Sequence, residues 1–168
     1  PYIQQARETV CAHPFISMLE AEFGTQQHAY YYVISAQMKG NFGLHFPCGE
    51  RSESELFSVF SPDSLSLSPA ILLHEYMHAF INPLTEKYRS LVCAFQSAYQ
   101  WLSKYKLPDY QSGYGDWEEC VNEHLVRAMT IHLLHRCGYS DLAQKMLRND
   151  LYCGYQYIPL LLERYCIY

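Results

Sequence analysis

The apolar positions of this chain change period along its length, and those changes mark out its elements. From Ile3 to Phe23 they recur at helical spacing, and Gly24 closes the run. Between His28 and Met38 the sequence Tyr30-Tyr31-Tyr32-Val33-Ile34 gathers aromatic and β-branched residues, which suit a pleated surface and predict a strand. Leu56 to Phe60 predicts another. Between them, Lys39 to Arg51 is turn-rich, with Gly40, Gly43, Pro47 and Gly49, and holds a short pairing segment at Leu44 to Phe46. The rest reads as helix over about 69–81, 84–106, 116–137, 140–150 and 156–166. The pattern predicts an α+β fold, mostly helical, with a small antiparallel sheet in the N-terminal half and residues 1–168 forming a single domain.

The helix predicted over 69–81 carries His74-Glu75-Tyr76-Met77-His78, an HExxH pattern. Four residues of separation stack two histidines on one helical face, so both imidazoles can reach one metal ion, while Glu75 lies beside them as a general base for an attacking water. The context agrees with a helix. Ser66 and Ser68 are N-capping residues, Pro69 suits a first turn, and Asn82-Pro83 predicts the stop. The flanking Ala70 to Leu73 and Ala79 to Ile81 predict burial, and burying such polar groups without partners costs several kcal/mol, which a metal ion would offset.

A hydrolytic zinc site needs a third protein ligand, with a fourth position left open. Trp117 to Ala128 lacks Gly and Pro and predicts a buried helix on which Glu119, Glu123 and Arg127, four residues apart, share one face. Asn122-Glu123 followed by Arg127-Ala128 resembles the second zinc-binding helix of gluzincin metallopeptidases, which favours Glu123 as ligand. Glu119 is the alternative, either as ligand or as acceptor for a ligating imidazole. His124 falls on the apolar stripe and reads as a core histidine, and Cys120 as a packed thiol. His132 and His135 also read as packed on the apolar side of a helix. In the turn-rich stretch from Leu107 to Asp116, Tyr114 sits between two glycines and is a candidate hydroxyl donor to an oxyanion, and Asp116 is the N-cap of the next helix.

His74 to Pro83, with Trp117-Glu118, Glu123 to Ala128 and the closing Gly154 to Ile158, resembles the HExxHxFxNP signature of a bacterial family of metallopeptidase-like sequences, domain of unknown function 4932. The resemblance runs over most of the chain from residue 68 onward, with a fainter match from His13-Pro14 to Gly24. It implies a zincin-type fold and a peptidase activity, with His74, Glu75, His78 and Glu123 as the matching positions.

Composition narrows the alternatives. A chain of 168 residues with 49% apolar and 17% charged residues can bury a sizeable core, and a net charge of -5 leaves no basic footprint for nucleic acid or anionic membrane. No apolar run approaches the roughly 20 residues that span a bilayer. Seven cysteines, at 11, 48, 93, 120, 137, 153 and 166, form no CxxC pair, so they do not read as a zinc knuckle and leave the redox compartment open, with a lean toward a secreted or periplasmic location. The expectation is a zinc-dependent hydrolase acting on a peptide or protein substrate, with Zn2+ held by His74, His78 and Glu123 and with Glu75 as base. The alternative is a non-catalytic binding module that keeps a structural or degenerate zinc site.

Overall fold

The computed structural model of the chain describes residues 2–35, 37–49, 53–61, 69–102 and 116–165. Its contacts gather into two compact units, Pro1–Phe80 and Ile81–Tyr168.

The first unit opens with two helices, α1 (Tyr2–Cys11) and α2 (Phe15–Phe23), where the sequence predicts one. Pro14 is the reason, since it has no N–H to give an earlier carbonyl and clashes with the preceding turn. Its own carbonyl accepts from Met18 N and Ser17 Oγ, both at 3.0 Å, and so starts the second helix. Gly24 ends α2 in the left-handed region at φ 62°, as predicted. Phe15 and Leu19 are the buried positions of α2. From the same helix, Glu20 Oε1 accepts from Gln27 N and from the Tyr30 hydroxyl, which ties it to the first strand.

Strands β1 (Ala29–Ile34), β2 (Asn41–Pro47) and β3 (Ser54–Phe60) form one sheet in the order β1-β3-β2. β2 and β3 are antiparallel, with Gly43 opposite Ser58, whereas β1 runs parallel to β3, with Tyr32 opposite Ser58. The sheet is therefore mixed, a correction to the antiparallel sheet predicted from sequence. Burial decides the order: β3 is covered from Leu56 to Phe60 apart from a half-buried Phe57, so it takes the centre. β2 exposes Phe42, Leu44, His45, Phe46 and Pro47 and suits an edge, where the missing N–H of Pro47 costs no ladder bond.

Helix α3 (Pro69–Lys87) begins in this unit. Leu72, Leu73, Tyr76 and Met77 are almost fully buried. Tyr30 and Tyr32 meet the Tyr76 ring edge-on at 5.2 and 5.0 Å, Phe23 stacks on Phe80 at 4.9 Å, and Phe60 packs with Leu72. One face of the sheet thus lies on the HExxH helix. The helix does not stop at Asn82-Pro83 as predicted. Pro83 sits inside it, and the Thr85 hydroxyl faces both Asn82 O and Asn122 Oδ1, supplying polar contacts where proline interrupts the backbone ladder.

In the second unit, α4 (Arg89–Ala94) and α5 (Ser97–Leu102) replace the single helix predicted over 84–106. The Trp117 indole donates to Val92 O at 2.6 Å, and Phe95 N takes the same carbonyl at 3.2 Å. An unbroken α-helix would have given that carbonyl to residue 96, so the long-range bond coincides with the break. Helices α6 (Trp117–Arg136), α7 (Ser140–Tyr152) and α8 (Ile158–Tyr165) follow close to their predicted bounds, and α6 packs against α4, α7 and α8. Among the described residues no helix is long and apolar enough to cross a membrane.

Candidate metal centre

In α3 the side chains of His74 and His78 come together one turn apart, with ring centroids 5.0 Å from each other and nearly perpendicular ring planes. Their Nε2 atoms are 3.3 Å apart. Two nitrogen ligands held about 2.0–2.1 Å from a tetrahedral zinc lie about 3.3 Å apart, so this separation fits two corners of such a shell. Both histidines are half-buried and Glu75, one residue on from His74, is buried at 7% exposure. Imidazole nitrogens are donors that suit a borderline ion such as zinc, and Glu75 lies beside them as a buried carboxylate.

The sheet fixes this turn of helix from above. Gly43 of β2 lies so close to the backbone of Glu75 that a Cβ built there would run into the Glu75 carbonyl oxygen, with the carbonyl carbon at 3.1 Å. A glycine inside a strand marks such a close approach, and here it brings the edge strand against the residue read as general base. Gly43→Ala is expected to force strand and helix apart and to destabilise the protein by roughly 1–3 kcal/mol in a urea titration. An unchanged midpoint would show that the backbone gives way without cost.

The second unit holds the carboxylates considered as third ligand. Asp116 caps α6 by accepting from Glu119 N at 2.9 Å, as predicted. Glu119 itself is exposed. Glu123 is only 22% exposed and is held, since Arg127 Nε donates to its Oε2 at 3.0 Å. Arg127 is shared, because its Nη1 donates to Asp150 Oδ1 at 2.9 Å while the guanidinium lies over the Tyr155 ring at 4.1 Å. Burial opposes the charge of Arg127, but Tyr155, Glu123 and Asp150 together hold it above its ordinary value, so it stays a cation. The Glu123 carboxylate is thus oriented by Arg127, which is itself anchored.

His124 is a core residue, as its place on the apolar stripe predicts. It is 3% exposed, and its Nδ1 lies 2.7 Å from Cys120 O, which can only accept, so Nδ1 carries a proton. Burial pushes its pKa down to about 4, which keeps the ring neutral near pH 7. Cys120 is buried beside it. A cavity of about 470 Å³ in this unit is lined by His124 and by Leu91, Val92, Phe95, Val121 and Leu125 among others. With a neutral histidine in an apolar wall it offers shape rather than reactive chemistry. His132 is half-buried against the Tyr165 ring, whereas His135 is exposed, a correction to its predicted packing, with Nδ1 2.8 Å from Ser140 Oγ. Tyr114 and the capping serines Ser66 and Ser68 lie outside the described residues.

Sequence reading missed Gly43 and Asp150. Gly43 lies just before the predicted pairing segment Leu44 to Phe46, and Asp150, beside Asn149 near the end of α7, is 1% exposed.

The family described as Domain of unknown function (DUF4932) matches residues 2–168. The chain belongs to this family. The DUF4932 match takes in the strands and α1 as well as the HExxH helix, so it extends beyond the segment from residue 68 and the stretch from His13 to Gly24 that carry the resemblance. No curated protein and no solved structure matches the chain.

Proposed function

We propose that this DUF4932 chain is a zinc-dependent hydrolase of gluzincin type acting on peptide bonds. The observation that carries the reading is the pair of Nε2 atoms of His74 and His78, 3.3 Å apart beside the buried Glu75. His74 and His78 would hold the ion through imidazole nitrogen, and Glu123, the carboxylate steadied by Arg127, would be the third ligand, with Glu119 the alternative. Zinc bound there supplies Lewis acidity, polarising a carbonyl and making water acidic enough to ionise near neutral pH. Glu75 accepts the proton of the attacking water at its carboxylate and returns it to the leaving amine. Edge strand β2, in contact with the Glu75 backbone, has the position from which an extended peptide can be held by strand addition.

The deciding experiment is elemental analysis of protein purified without added metal, beside His78→Ala and Glu123→Ala. A zinc content lower by about one equivalent per chain in both variants than in the parent is the expected result. Zinc retained in Glu123→Ala but lost in Glu119→Ala would move the third ligand. A zinc content that does not fall in His78→Ala would end the hydrolase reading.

A further inference from the structure

The same unit gathers metal-binding side chains at a second place, at one end of the sheet. His28 precedes β1, Cys48 follows β2 and Glu55 is the second residue of β3, and one donor atom of each lies within 4.8 Å of the other two. Backbone bonds fix all three positions. His28 N donates to Ser54 O at 3.0 Å, Cys48 N donates to Glu53 O at 3.2 Å, and Glu55 is paired with Ala29 on one side and Phe46 on the other. The carboxylate is also steered, since the Tyr31 hydroxyl donates to Glu55 Oε1 at 3.4 Å. A fourth donor is at hand: Glu53 Oε2 is 3.9 Å from His28 Nδ1.

We propose that His28, Cys48 and Glu55 form a second zinc site, one that clamps the ends of the three strands and owes nothing to the HExxH helix. A thiolate, an imidazole and a carboxylate are the donor types that a borderline-soft ion such as zinc accepts. In a tetrahedral zinc shell, donors at bond lengths of about 2.0–2.3 Å lie roughly 3.5 Å apart. Closing the present spread needs about an ångström of side-chain rotation from half-buried or exposed groups and no movement of the ladder. Glu53 or a water completes the shell. The thiol of Cys48 is not in a disulfide and is reached from solvent, so the ion needs no opening of the core to enter.

The thiolate makes the site spectroscopically distinct, because none of the residues assigned to the HExxH centre contains sulfur. The protein would be titrated with Co2+ under a phosphine reductant, following the thiolate-to-cobalt charge-transfer absorption in the near ultraviolet. The expected result is that this band reaches the same final amplitude, that of one thiolate-bound cobalt per chain, in the parent and in His78→Ala, is lost in Cys48→Ser, and is lost or strongly weakened in His28→Ala. The His28 side chain is 45% exposed and Cys48 is half-buried, so His28→Ala and Cys48→Ser are expected to keep the parent's circular dichroism. No thiolate band in the parent would overturn the proposal. So would a band that survives Cys48→Ser, because another cysteine would then be the ligand. Loss of the hydrolase reading would leave the band untouched, so the two ideas fail separately.

Discussion

Glu75→Gln is expected to keep its zinc and lose its activity. Glutamine has the shape of glutamate, so the buried pocket at this position stays filled, while a neutral amide cannot take a proton from water. General-base catalysis by a positioned side chain contributes about 10²–10⁴-fold, and turnover of a fluorogenic peptide library should fall by that factor with zinc content unchanged. A variant that retains the parent's turnover would sink the role given to Glu75. Loss of both zinc and activity would instead make Glu75 necessary to the integrity of the site, and would leave its part in proton transfer unsupported.

The second large effect concerns stability. Arg127→Met removes a cation that pairs with both Glu123 and Asp150, and Asp150 is 1% exposed. Taking one partner from a buried ion pair typically costs about 3–5 kcal/mol, because the remaining charge keeps its desolvation penalty and loses its compensation. Urea unfolding should show a loss of that order for Arg127→Met. Exchanging Asp150 for leucine in the same chain should restore much of it, since an apolar pair fills the space without an uncompensated charge. A loss below about 1 kcal/mol in the single variant would mean that water reaches these carboxylates.

Local rules made much of the architecture readable. Periodicity located the strands and the long helices, Asp116 announced the start of α6, and Gly24 the end of α2. Misreadings came from two sources. One was a local signal given too little weight at Pro14 and too much at Pro83, where the residues around the proline decide whether a helix breaks or continues. The other was tertiary: Trp117 takes a carbonyl from a residue 25 positions away, and the exposure of β2 rather than its composition sends it to the sheet edge. At the candidate centre, i,i+4 spacing was enough to foresee that His74 and His78 meet, because one helix carries both. Nothing local could foresee that Gly43 touches Glu75 or that Asp150 anchors Arg127, since each joins elements that only the fold brings together.

The central position of α6 in the second unit also bears on how this protein breathes. Nine of its twenty residues are buried, and α4, α7 and α8 each lean on it. Transient opening spreads inward from elements with few buried contacts, so the amides of α6 should be among the last in this unit to exchange with deuterated solvent. Glu123 therefore rides on a persistent helix of its unit, while the Arg127 that holds its carboxylate also depends on Asp150 of α7.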